Sequence, residues 1–293
     1  MLDRTKVAFN AFWWENLDSE DKVAAVCEGL SALGYRGVEW KETCFGAGNE
    51  TASKLAMAAR ATRNAGLEVT NFVILRNIAD PEAAAKSVED MCQFVRAAAA
   101  AGVKIVNTAS ASALRKPLDP DDWWKADSPD WTTSWDTTEK SLRAVLAVAE
   151  AEGVTIAFEA VVGNLVHDYY STLELLRRLD SPSLALTMDP SHYALHDNDI
   201  GWAVRQLGPK IRHVHLKDTV GRAGAFPRDF LFPVLGEGII NWKEFFTALD
   251  ESSYHGWLSI EFESFKYMAE ILSGDAMEAA RLSMRSYKAL SGC

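Results

Sequence analysis

Short apolar or alternating runs recur along this chain, each followed by a longer stretch with apolar residues at helical spacing and, in several cases, a glycine just behind it. Lys6 to Phe12 alternates and predicts a first strand; Asp21 to Leu33 predicts a helix that Gly34 stops. Gly37 to Lys41 and Thr51 to Asn64, closed by Gly66, repeat the unit. Glu68 to Leu75 and an alanine-rich helix opened by Pro81 and ended at Gly102 form the third. The fourth strand, Lys104 to Thr108, precedes a long loop from Ala109 to about Thr132 and a helix from Thr137 to Glu152. Val154 to Ala160 pairs with the helix Ser171 to Leu179, and Leu184 to Asp189 with Ile200 to Leu207. Ile211 to Lys217 is the seventh strand; a loop from Thr219 to Ile240 leads to a helix whose start, Asn241 with Glu244, reads as a capping box. Trp257 to Phe262 and Asp275 to Leu290 complete the series.

Eight strand-helix units without a Pro-, Gly- or Ser-rich linker predict one α/β domain over residues 1–293, a (β/α)8 TIM barrel rather than an open doubly wound sheet. No G-x-G-x-x-G follows the first strand and no G-x-x-x-x-G-K-[ST] occurs, which removes the main dinucleotide and phosphate-loop readings.

Composition narrows the partners. The 293 residues are 48% hydrophobic and 24% charged, enough for a substantial core. A net charge of −11 argues against nucleic acid, whose affinity rests on clustered cations. The N-terminus lacks the layout of a signal peptide and no apolar run reaches membrane-spanning length, so a cytoplasmic protein with no membrane partner is expected. Cys27, Cys44, Cys92 and Cys293 are widely spaced and predict free thiols.

Candidate chemistry gathers at strand ends. In a barrel, catalytic groups sit at the C-terminal ends of strands, and the last polar residues of strands five to eight are Glu159, Asp189, His215 and Glu261. Three like charges in one semi-buried mouth repel, and a divalent cation resolves this. Oxygen-rich ligation with one imidazole suits Mn²⁺ first, with Mg²⁺ or Co²⁺ as alternatives. Within Ile211 to Asp218 the strand period puts His213 and His215 on one face, with His215 nearer the mouth and His213 packing beneath. Trp14 after strand one, with Phe12 and Trp13 beside it, Trp40 on strand two, and Trp123, Trp124 and Trp131 in the fourth loop suit stacking on the apolar faces of a carbohydrate. Glu39 and Asn107, at the ends of strands two and four, read either as partners for its hydroxyls or as groups that satisfy nearby backbone. Lys217 and Asp218 read as a strand-end ion pair, and Gly236-Glu237-Gly238 as a mobile turn.

Phe158-Glu159, Asp189-Pro-Ser-His192, His213-Val-His215-Leu-Lys-Asp218 and Ile260-Glu261 together resemble the xylose-isomerase-like superfamily of metal-dependent TIM barrels, which holds ketose epimerases, isomerases, inosose dehydratases and repair endonucleases. The resemblance implies that Glu159, Asp189, His215 and Glu261 bind the metal. It also implies that Glu159 and Glu261 exchange protons with a keto sugar or polyol through an enediolate. His192 matches a histidine that contacts substrate oxygen. The epimerases carry an arginine that grips the sugar; Arg222 stands here at a shifted spacing, and the Leu216-Lys217-Asp218 text looks more like the inosose-dehydratase and general isomerase branches. The expected activity is isomerisation or epimerisation by a homo-oligomer. The alternatives are a lyase on the same scaffold, expelling water or the aglycone of a 3-keto-glycoside, and a non-catalytic sugar-binding subunit.

Overall fold

Parallel pairing closes the sheet. The computed structural model describes residues 1–46, 51–115 and 129–292, and its elements run β1 (Val7–Asn10), α1 (Glu20–Leu33), β2 (Gly37–Lys41), α2 (Thr51–Asn64), β3 (Glu68–Val73), α3 (Pro81–Ala100), β4 (Ile105–Ala109) and α4 (Trp131–Glu152). They continue with β5 (Thr155–Glu159), α5 (Tyr169–Arg178), β6 (Leu184–Met188), α6 (Pro190–Leu195), α7 (Ile200–Leu207), β7 (Ile211–Leu216), β8 (Val220–Gly221) and β9 (Phe230–Leu231). The last are α8 (Trp242–Glu251), β10 (Leu258–Ile260), α9 (Phe265–Glu270) and α10 (Ala276–Ser291). The strands join in the closed order β1-β10-β7-β6-β5-β4-β3-β2, every pair parallel, as a single-domain (β/α)8 TIM barrel. β8 and β9 stand apart as a small antiparallel hairpin over the mouth side of β7.

Helix ends follow local chemistry. Ser19, Asp80, Asp168, Asp199 and Asp275 each accept a backbone N–H from the first turn of the helix they precede, and Gly34 and Gly153 end α1 and α4 in the left-handed conformation. Between barrel and helices lies one continuous apolar layer, including Phe9, Val38, Phe72, Phe94, Phe158, Phe245 and Phe246. Among the described residues no helix is long and apolar enough to cross a membrane.

Several expectations are corrected. α4 begins at Trp131, six residues before the expected Thr137, because Asp130 caps it by accepting from the Thr133 N–H at 3.2 Å. The β-branched and aromatic text of that first turn had read as loop. Asn241 supplies only half of a capping box: it accepts from the Glu244 N–H at 3.1 Å, while the Glu244 carboxylate turns to Arg205 at 2.8 Å. The short helices α6 and α9 and the β8–β9 hairpin sit where loops were expected.

The turn at Gly236 to Gly238 is pinned. Asp218, buried, accepts from the N–H groups of Thr219, Gly236 and Ile240 at 3.0, 2.9 and 3.2 Å and from Trp242 Nε1 at 3.0 Å. A Cβ on Gly238 would collide with the Asp218 carboxylate and the Thr219 carbonyl, so this position needs glycine. Asp218 therefore holds the segment after β7 and makes no pair with Lys217.

Candidate metal centre at the barrel mouth

Glu159 ends β5, Asp189 follows β6, His215 lies near the end of β7, and Glu261 follows β10. Parallel strands in one barrel must bring these ends to the same face, and one ligand-capable atom from each of the four lies within 4.8 Å of the others. Atoms sharing an ion at about 2.1 Å stand no more than about 4.2 Å apart. Small side-chain movements separate the set from a coordination shell.

Each member is held by a neighbour. Asp189 caps α6: its Oδ1 accepts from the Ser191 N–H and hydroxyl at 2.9 and 2.7 Å. Its other oxygen, Oδ2, is buried without a well-angled hydrogen bond, although Lys217 Nζ lies 2.9 Å away. Glu261 accepts from Asn10 Nδ2 at 2.8 Å and Lys217 Nζ at 2.7 Å. Glu159 accepts from Asn107 Nδ2 at 3.3 Å and faces His215 Nδ1 at 3.1 Å. The opposite ring nitrogen of His215 meets Glu39 at 3.0 Å; Glu39 also bonds His213 Nε2 at 2.9 Å and accepts from the Ser259 hydroxyl at 2.7 Å. Glu39, fully buried, thus lies behind His215, turned toward two imidazoles and a hydroxyl and not toward a substrate.

Electrostatics make this a crowded anionic pocket. Burial works against the charge of Lys217, yet Asp189, Glu261, Glu263 and Glu159 hold its ammonium well above the usual lysine range. Burial likewise disfavours a charged His215, and Glu39, Glu159 and Glu261 outweigh it, raising the imidazole well above its usual range. The Glu159 carboxyl is pushed up by burial. Burial would lift Glu261 too, but Lys217 and His215 prevail and hold it below the usual carboxylate range. His192 is held down to about 3 by burial and by the Lys217 ammonium, so its ring is neutral. Its Nε2 lies 3.1 Å from Lys217 Nζ, 3.6 Å from Asp189 and 3.8 Å from Glu159.

The residues fit a divalent cation. Three carboxylates and one imidazole bring donor atoms within 4.8 Å of one another, and Asp189 Oδ2 is buried with no hydrogen bond beside its 2.9 Å ion pair to Lys217. The donor set of three carboxylates and one imidazole suits a hard or borderline ion.

Lys217, Asn10 and Glu263 line the cluster, and the sequence pattern singled out neither Asn10 nor Glu263. Lys217 was assigned to Asp218, but adjacent residues in an extended chain point to opposite sides, whereas Lys217 follows His213 and His215 at the period of two. The same rule, applied to Glu261, points to Glu263, whose carboxylate accepts from Lys217 at 2.9 Å.

Other candidates lie elsewhere. The Arg222 side chain is 77% exposed and pairs with Asp197 at 2.9 Å, and no described contact brings it to the cluster. Trp14 packs edge-on against Phe9, with ring centres 5.9 Å apart. Trp40 is fully buried and donates to Thr62 on α2 at 2.9 Å, so it is a core residue, not a stacking platform. Trp123 and Trp124 lie outside the described residues.

Comparison with known proteins gives a consistent result. The family model described as xylose isomerase-like TIM barrel matches residues 27–290. Inosose dehydratase of Mesomycoplasma hyopneumoniae (strain 7448) is 25% identical over 286 residues, covering 89% of this chain and 90% of that protein. Among solved structures, 3-keto-D-glucoside 4-epimerase from E. coli superposes with a TM-score of 0.72 at 16% identity over 98% of this chain and 99% of its own. The IOLI protein with a bound zinc atom does so with a TM-score of 0.75 at 18% identity over 97% of each chain. At these identities the structural likeness is one of fold.

Proposed function

This chain belongs to the xylose isomerase-like TIM barrel family, and from that membership and the cluster at its mouth we propose that it is a divalent-metal enzyme that removes the proton beside the carbonyl of a keto sugar or related polyol. The observation that carries this reading is the convergence of Glu159, Asp189, His215 and Glu261 within 4.8 Å. Glu159 and Glu261 reach the cluster from different strands and touch opposite neighbours, Asn107 for one and Asn10 for the other. That arrangement gives a substrate carbon two carboxylates able to exchange a proton with it.

Glu159, Asp189, His215 and Glu261 would hold the cation, which would lend Lewis acidity to the substrate carbonyl. Manganese, magnesium or cobalt suits the oxygen-rich donors, and the IOLI structure, of the same fold, holds a zinc atom. One glutamate takes the proton from carbon, leaving an enediolate. Its partner returns a proton to the carbon skeleton, which gives an epimer or isomer. Lys217, 2.7 Å from Glu261, holds that carboxylate in place and balances its charge. Neutral His192, 2% exposed, is set to bond a substrate oxygen at the same face.

A lyase is the second reading. It shares the first proton transfer, after which the enediolate expels a β-substituent with its bonding electrons and the substituent leaves protonated. The inosose dehydratase relative, aligned over 89% of this chain, favours it. Metal analysis and product NMR test both. The expected result is about one divalent ion per chain and loss of turnover on chelation. Products of unchanged mass identify the isomerase and loss of water or an aglycone the lyase; full turnover by metal-free protein overturns both.

A further inference from the structure

We propose that the cavity beside this cluster receives an apolar, ring-bearing substituent of the substrate, so that the substrate is a keto-sugar glycoside and not a free sugar, an assignment that rests on the keto-sugar reading of the same mouth. The segment between β7 and α8 contributes Phe226, Leu231, Phe232 and Val234, and the stretch around α9 contributes Phe265 and Ile271. The volume is about 270 Å³, whereas a cavity of about 150 Å³ already admits a benzene ring. There is room for a substituted ring or two fused ones.

The cavity shares walls with the cluster. Phe232 stands edge-on to His192 with ring centres 5.7 Å apart, and the Lys217 ammonium lies 4.8 Å from the centre of the same ring. Glu263, on the other wall, accepts from Lys217 at 2.9 Å, and Lys217 in turn is 2.7 Å from Glu261. A sugar reaching Glu261 therefore has its next groups at the entrance to an apolar space. From Phe232 the aromatic surface continues through Phe226, at 6.3 Å, to Phe265, at 5.8 Å. Phe226, Leu231, Phe265 and Ile271 are 46%, 40%, 40% and 62% exposed, an unusual amount of uncovered carbon beside a buried charge cluster. A free ketose would end at the polar groups and leave these side chains wet. An aryl or similar aglycone covers them, and the hydrophobic gain appears as affinity.

The test uses the metal-loaded whole chain with phenyl 3-keto-β-D-glucopyranoside and its methyl counterpart. Binding is read by stopped-flow tryptophan fluorescence ahead of turnover, and products are read by NMR. The phenyl compound is expected to bind about tenfold tighter or more. Leu231→Asp and Ile271→Asp, on the cavity wall away from the metal cluster, should remove that advantage and leave the methyl compound's Kd unchanged. Equal binding of the two compounds overturns the cavity assignment, and leaves the keto-sugar reading standing if both are turned over. A phenyl preference without turnover of either compound upholds the cavity and overturns the reaction. Failure of both to bind overturns both. If Ile271→Asp instead converts a dimer to a monomer in sedimentation and the phenyl preference survives, the face belongs to a second copy of the chain and the assignment is wrong.

Discussion

Glu39 Oε1 lies 3.0 Å from His215 Nε2, and this fixes which way the other ring nitrogen points: Nδ1 faces Glu159 at 3.1 Å. A carboxylate behind a ligating imidazole sets its orientation and raises its basicity. Glu39→Gln should therefore raise the Kd for Mn²⁺ by about 10- to 100-fold, measured by calorimetry, while the fold by circular dichroism stays intact. An unchanged Kd would show that His215 does not depend on Glu39 for its position.

The part of this arrangement legible in the sequence is the part that periodicity reaches. Strand-helix alternation implies a closed barrel, and a closed barrel puts Glu159, Asp189, His215 and Glu261 at one end whatever the loops do. Contacts made across the barrel are not local. Nothing near Glu39 in sequence says that it meets His213 and His215 from a strand three places round the barrel, because that depends on barrel closure and register. Nor does the text around Asp218 say that its acceptors serve a segment about twenty residues on, where Gly236 and Ile240 donate to it.

Lys217 offers a stability test. Its ammonium, 3% exposed, lies within 2.9 Å of Asp189, Glu261 and Glu263. Lys217→Met leaves those carboxylates facing one another and should cost about 3–5 kcal/mol in the metal-free protein, read from urea unfolding. Saturating Mn²⁺ should recover part of that loss, since it binds the folded chain and restores positive charge. Wild-type stability in the metal-free variant would show that the ammonium does not balance this cluster.

Asp218→Ala removes the acceptor that four donors share at the start of the segment carrying Phe226 and Phe232. The variant should lose about 3 kcal/mol and become open to trypsin at Arg222 and Arg228, followed by peptide mass mapping. Cleavage no faster than in the wild type would mean that other contacts hold the segment.

The thiols differ in reactivity. Burial pushes the Cys27 thiol up to about 11 and the Cys44 thiol up to about 12, so at pH 8 both stay protonated and covered. Iodoacetamide at pH 8 should leave them unmodified in the folded protein and label them in urea, while half-buried Cys92 reacts earlier. Labelling of Cys44 as fast as Cys92, read by peptide mass spectrometry, would contradict the burial of the turn after β2, where the Cys44 thiol donates to the Ala11 carbonyl.

Solvent exchange at substrate carbon tests the central claim, metal-dependent proton transfer by Glu159 and Glu261, most directly. Metal-loaded protein is mixed in D₂O with a ketose, an inosose and a 3-keto-glycoside, and the C–H beside each carbonyl is followed by proton NMR. Deuterium should enter at least one of them with the wild-type protein, stop on chelation and return with Mn²⁺, and be lost when Glu159→Gln and Glu261→Gln are combined. Undiminished exchange in the metal-free protein or in the double variant, or none on any of the three by the loaded wild type, would contradict it.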